Sequence, residues 1–342
     1  MVYDGLLVCQ VLIDTKTVVD NEKRFTVKRK AHGLTLIELI TVVAIIAILI
    51  GLLLPATSMV RRHAKKAAQR VQFSAINLGL EAFKSDFGFY PASNSTNGYG
   101  GAQKLAEAML GLDLLGFNPA VNLGSSVVDG LTQNHLDYYT VGSDPNGLAG
   151  GSLNNRKGRY LELESANAFR LGEDRTNLLN PVGGLYRNTG LLSPLAQVLC
   201  DVYKKTTVRQ GNGDIQKAGA PILYYRADPS NKVFRMVDGS DLTASIYNVT
   251  DNAELVDLRA TQERADKPGR INDPLNGGDG TMSIPAFFYG IGAGNTTTAY
   301  GYAQDTKVST YPWPYNSDTY LLISAGEDGL YGTEDDIRNF GN

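Results

Sequence analysis

The sequence predicts an α+β chain: one long N-terminal helix, then a head of helix and small antiparallel sheet. Three observations predict it. Residues 34–54 form an apolar run with a single charge, Glu38, and an apolar pattern at helical spacing continues beyond it to Phe83. Gly88 and Pro91 then supply a helix stop, since glycine caps and proline cannot continue the hydrogen-bond ladder. Beyond that stop, short β-like segments alternate with clusters of Gly, Asn, Asp and Pro.

The elements follow in order. A run such as Leu34–Leu54 is long enough to cross a bilayer, which takes about 20 apolar residues. Gly51 and Pro55 are positions where the helix is expected to kink or melt. The onward stripe is Met59, Val60, Ala64, Ala67, Ala68, Val71, Ala75, Leu78 and Phe83, and the helix is expected to run from Leu34 to Asp86. Arg61, Arg62, Lys65, Lys66 and Arg70 make a basic stretch, with no acid between Glu38 and Glu81. Such a stretch serves lipid headgroups, or acidic residues of neighbouring subunits. A polar loop over 92–101 leads to a second helix, Gln103–Leu115, with Leu105, Met109, Leu112 and Leu115 toward a core. Candidate strands are Tyr160–Leu163, Ile222–Tyr225, Lys232–Val237, Pro285–Tyr289 and, most clearly, the segment starting Tyr320-Leu-Leu-Ile-Ser.

Composition narrows the function. The formal net charge is −3, and removal of residues 1–33, with six Lys or Arg and four Asp or Glu, takes it to −5. That argues against nucleic acid as a partner. Of two cysteines, Cys9 lies in the leader, so Cys200 is left as a buried apolar thiol without a disulfide partner. The three histidines, His32, His63 and His135, sit at no metal-binding spacing, and no Gly-x-Ser-x-Gly elbow occurs. Gly290-Ile-Gly-Ala-Gly-Asn reads as a surface loop, and the tyrosine pairs read as packing. The expectation is that the chain is not an enzyme. The stretch 1–20 is long for a leader and is expected to be an extension or an upstream misassigned start.

Lys28, Arg29 and Lys30, then Gly33, Leu34, Glu38 and the apolar run, resemble the class III signal of type IV pilins and type II secretion pseudopilins. The resemblance implies cleavage between Gly33 and Leu34 by a prepilin peptidase, and N-methylation of Leu34. Glu38 becomes the fifth mature residue and the assembly residue. Physically, a free α-amino group and a carboxylate buried among apolar helices relieve one another and fix axial register between subunits. Phenylalanine is commoner than leucine as the first mature residue. Residues 87–91, Phe-Gly-Phe-Tyr-Pro, resemble the turn that closes the long pseudopilin helix.

Residues 327–336 hold five acids, Glu327, Asp328, Glu334, Asp335 and Asp336, with no Lys or Arg between Lys307 and Arg338. Gly326, Gly329 and Gly332 let backbone carbonyls and carboxylates converge, which suits the oxygen-rich shell of Ca²⁺. Ser324-Ala-Gly-Glu-Asp328-Gly, followed by Glu334-Asp-Asp336-Ile337, resembles the C-terminal calcium loop of major pseudopilins. The resemblance implies Asp328, Glu334 and Asp336 as ligands, with Asp335 in reserve.

The resemblance covers residues 24–91 and 318–340. It implies a pilin-like lollipop: leader 1–33, transmembrane segment 34–54, periplasmic helix 55–90 and head 91–342, ending in a calcium segment 318–342, with a large insertion between. It further implies a subunit of a periplasmic pseudopilus in type II secretion. Its partners would be prepilin peptidase, other pseudopilins, the inner-membrane secretion platform and membrane lipid, with a single pass through the bacterial inner membrane. A type IV pilus pilin, for adhesion or DNA uptake, is the alternative; a membrane-anchored binding protein or enzyme is the third reading.

Overall fold

The computed structural model describes residues 35–95, 98–121, 139, 153–173, 183–232 (except 187 and 210–212), 234, 245–258 (except 257) and 302–341 (except 312, 330, 333 and 334). The chain divides into two compact units, Met1–Ala56 and Thr57–Asn342. The expected strand Pro285–Tyr289, and Lys232–Val237 apart from two of its residues, lie outside the described residues.

Helix α1 spans Leu36–Phe87, 52 residues. It stays helical through Gly51 and Pro55, so no turn melts there. In the first unit its described side chains from Leu36 to Ile50 are all exposed. Helix α1 ends as expected: Gly88 takes φ +81°, and its N–H donates to the Lys84 carbonyl at 2.7 Å.

In the second unit the buried face of α1 is not the expected one. Gln69, Gln72, Phe73, Ile76, Leu80 and Phe83 face the core, whereas Met59, Val60, Val71 and Leu78 are exposed. The buried set recurs at spacings of three and four, so it is a proper helix face. Two glutamines hid it from a reading of apolar residues alone. Each is held by one end of its amide: Gln72 Nε2 donates to the carbonyls of Ala166 and Cys200, and Gln69 Oε1 accepts from the Val202 N–H.

Helix α2, Gly101–Leu110, begins earlier and stops sooner than expected. Gly111 at φ +79° ends it, so Leu105 and Met109 are core while Leu115 is exposed. Gln103 reaches back to the Gly100 N–H at 2.9 Å and fixes the entry. Tyr160–Leu163 is not a strand. It leads into a single helical turn, α3, Leu163–Ala166.

Among the described residues seven short strands follow: β1 Ala168–Arg170, β2 Gln197–Leu199, β3 Thr206–Arg209, β4 Ile215–Ala218, β5 Leu223–Arg226, β6 Tyr320–Ser324 and β7 Ile337–Arg338. All pairings are antiparallel: β1 with β2, β3 with β4, and the three-stranded order β5-β6-β7. The strands expected near 222–225 and 320–324 are the pair β5 and β6. Their register sets Tyr224 opposite Leu322 and Tyr225 opposite Leu321. Alternation sends Tyr224, Tyr320 and Leu322 to the core shared with α1 and α2, and Leu223, Tyr225, Leu321 and Ile323 to a second core on the other face. Both faces of the pair are therefore buried, which explains its unbroken apolar sequence. Cys200 is buried, as expected of an apolar thiol.

Candidate functional site

The N-terminal site is built by the first turn of α1. Gly33 and Leu34, the expected cleavage and methylation residues, lie outside the described residues. Thr35 and Glu38 form a reciprocal cap: the Thr35 N–H donates to Glu38 Oε2 at 2.8 Å, and the Glu38 N–H donates to Thr35 Oγ1 at 3.3 Å. The Thr35 hydroxyl donates to the same carboxylate oxygen at 2.8 Å. Among the described residues no helix is long and apolar enough to cross a membrane. The side chains of Leu52 and residues 54–56 are outside that set, and they form the far end of the expected span 34–54.

The C-terminal site is the turn between β6 and β7. Gly326 adopts φ +64°, and a Cβ there would sit 2.3 Å from the Asp335 carbonyl oxygen. Only glycine allows that approach. Asp335 Oδ2 accepts the Asp328 N–H at 2.8 Å, so Asp335, the reserve residue, closes the loop across its own neck. Asp336 Oδ2 accepts the Gly332 N–H at 2.7 Å and the Tyr302 hydroxyl at 2.5 Å. Its Oδ1 is buried and has no hydrogen-bond partner among the described residues. Burial pushes the Asp336 carboxyl up to about 7, and the charges of Asp335 and Asp328 push the same way. Glu327 points elsewhere, to Arg62 at 3.1 Å, where both side chains are well exposed. Glu334 lies outside the described residues. Among the described residues no three His, Cys, Asp or Glu side chains gather closely enough to hold a metal ion.

What the turn offers a hard cation is a single orphaned oxygen and not a formed shell. Asp336 Oδ1 is buried without a partner among the described residues, and like charges on Asp328 and Asp335 add to the cost of keeping the carboxyl ionised. Sequence reasoning missed Tyr302, which comes from a distant segment, and Arg62, which was read only as part of a basic run.

A third polar cluster surrounds α2, and no sequence motif marks it. Lys104, Glu107 and Asp251 are all buried. Glu107 accepts from the Tyr99 hydroxyl, and Asp251 Oδ2 accepts from the Ser93 hydroxyl. Asn252 ties the cluster to the sheet, accepting from the Ala102 N–H and donating to the Tyr224 carbonyl.

Residues 28–54 match the family described as the prokaryotic N-terminal methylation motif. No curated protein and no solved structure matches the chain. The matched segment contains the basic residues, Gly33, Leu34, Glu38 and the apolar run. It supports a pilin-type or pseudopilin-type protein. Such a motif implies export, anchoring at the membrane through the N-terminal segment, processing by a prepilin peptidase and assembly with other pilin-like subunits.

Proposed function

We propose that this chain is a structural subunit of a periplasmic pseudopilus in type II protein secretion, cut after Gly33, N-methylated at Leu34 and assembled through α1. The methylation motif at residues 28–54 carries the reading, because cleavage, methylation and a helical filament core are one linked chemistry. Helix α1 supports it with a second apolar face: Val60, Val71 and Leu78 stay exposed while the opposite face holds the head. Exposed apolar side chains on a helix are what a neighbouring copy can bury. The protein acts by assembly and catalyses nothing in this reading. Its localisation is the inner membrane, with a single pass over residues 34–54 and the head in the periplasm. The residues between the second helix and the final turn form a large insertion of the head.

Structural Ca²⁺ at the β6–β7 turn favours the secretion branch over the type IV pilus pilin. Asp336 and Asp335 would hold it, with Asp328 and Glu334 completing the acidic set. Bound there, the ion would supply fixed positive charge that locks the turn.

The deciding experiment has two arms. Intact mass and N-terminal sequence are measured on protein from membranes with and without prepilin peptidase; a methylated Leu34 N-terminus is expected, and an uncut chain overturns the pilin-type reading. Deletion of the gene is then followed by comparison of secreted proteins and of surface fibres. Loss of secretion supports the pseudopilus; loss of fibres with intact secretion assigns the chain to a pilus.

A further inference from the structure

Lys104 is an unusual lysine. It is completely buried on α2, and among the described residues its Nζ donates only to Asn94: to the backbone carbonyl at 2.7 Å and to the side-chain Oδ1 at 3.1 Å. Among the described residues no carboxylate oxygen lies within ion-pair distance of it. Burial therefore lowers its ammonium to about 8, against the attraction of Asp251 and Glu107. A desolvated lysine with a free-amine fraction is a nucleophile. The group it touches is a carboxamide, an acyl donor.

A buried acid stands beside the pair. Asp251 is held by the hydroxyl of Ser93, the residue next to Asn94, and among the described residues its Oδ1 has no hydrogen-bond partner. Burial pushes this carboxyl up to about 7, so it can both take and give a proton near neutrality. Glu107 is engaged elsewhere, accepting from the Tyr99 hydroxyl. Amine and acid are buried and the amide is half-buried against the amine, on groups that neither the methylation signal nor the acidic turn uses.

We propose that Lys104 Nζ and Asn94 Cγ join in an intramolecular isopeptide bond that ties the start of α2 to the loop leaving α1. The free amine attacks Cγ, and the carbonyl electron pair moves onto Oδ1. The proton that the attacking nitrogen releases ends on Nδ2, and the nearby Asp251 carboxyl favours that transfer through its charge. The carbonyl re-forms, the Cγ–Nδ2 bond breaks and ammonia leaves. A primary amide and an amine become a secondary amide and ammonia, so no oxidant or further reactant is needed. The bond spans ten residues of sequence and gives the head a covalent path beside its loop. This holds whether the filament belongs to secretion or to a pilus.

The test is mass spectrometry of the full-length protein purified from membranes. The cross-linked chain is about 17 Da lighter than its sequence mass, corrected for N-terminal processing, because one ammonia is lost. Trypsin also fails to cut after Lys104, so residues 85–156 appear as one peptide with an internal ring. Succinimide formation at Asn97-Gly98 also loses ammonia but leaves Lys104 open to trypsin, which separates the two. Asp251→Asn should restore full mass and cleavage at Lys104, and Lys104→Arg should restore full mass. A wild-type peptide ending at Lys104, with an unmodified Asn94, overturns the proposal even if every variant misfolds.

Discussion

Thr35 and Glu38 cap each other at the start of α1, and the carboxylate oxygen that does so is Glu38 Oε2. The other oxygen, Oε1, leaves room for a second partner. Glu38 can hold its own helix end and still meet the α-amino group of a neighbouring copy. Two variants separate these roles. Glu38→Gln keeps an acceptor for the Thr35 N–H but removes the charge; Glu38→Ala removes both. Both should be cleaved normally by the peptidase, and both should fail to assemble, by electron microscopy of sheared filaments. Filaments of normal yield from Glu38→Gln would show that capping is its whole task. Thr35→Ala should weaken the helix end by about 1 kcal/mol and still assemble.

The two faces of α1 make opposite predictions. Gln72 bonds two buried carbonyls, from Ala166 and Cys200, and so tethers the helix to α3 and β2. Gln72→Ala should cost about 1–3 kcal/mol in urea unfolding, because both carbonyls lose a donor, although that of Cys200 keeps the Asn167 amide. Leu78→Ser, on the exposed face, should leave monomer stability within about 0.5 kcal/mol and reduce filament yield. A Leu78 variant as unstable as the Gln72 variant would place that face inside the head.

Calcium makes a prediction of its own. A ligand that binds the folded state alone stabilises it by about 2.7 kcal/mol at a hundredfold excess over Kd. Chelation should therefore lower the melting temperature of the detergent-solubilised protein, and added Ca²⁺ should restore it. Asp336→Asn should abolish that response, since it replaces the orphaned Oδ1 set with an amide. Tyr302→Phe should weaken the response while sparing the fold, because the hydroxyl holds only one of the two Asp336 oxygens. A melting temperature blind to Ca²⁺ in the wild type would make the turn a hydrogen-bonded structure without a metal.

Much of this was legible in the chain, for reasons that differ by residue. The glycine stop of α1 was readable because Gly88 needs a positive φ, and strand β6 because Tyr320, Leu321, Leu322 and Ile323 form an apolar run between polar turns. The head-facing side of α1 was not readable. Gln69 and Gln72 look like surface residues until their backbone partners, far away in sequence, are in place. Asp335 outranked Asp328 at the neck of the acidic turn for a similar reason: the contact depends on how closely Gly326 approaches it, which spacing alone does not encode. Lys104 and Asp251, far apart in sequence, carry no pattern at all.

The buried pair predicts an unusual pH profile. Asp251 has its carboxyl raised from 3.8 to about 7 by burial, so the folded state binds its proton more tightly than the unfolded chain. Its contribution is fully present below about pH 4 and is lost as pH rises toward 7. Lys104 has its ammonium lowered from 10.5 to about 8, so its contribution is present above 10.5 and is lost as pH falls toward 8. Each slope is at most about 1.4 kcal/mol per pH unit. Urea unfolding of wild type minus Asp251→Asn, measured across pH 4–8, should isolate the first limb as a falling difference. The second limb belongs to a free amine. If Lys104 is an amide, wild type minus Lys104→Met should be flat between pH 8 and 10.5 while the Asp251 limb remains. A slope there would mean that the lysine still titrates.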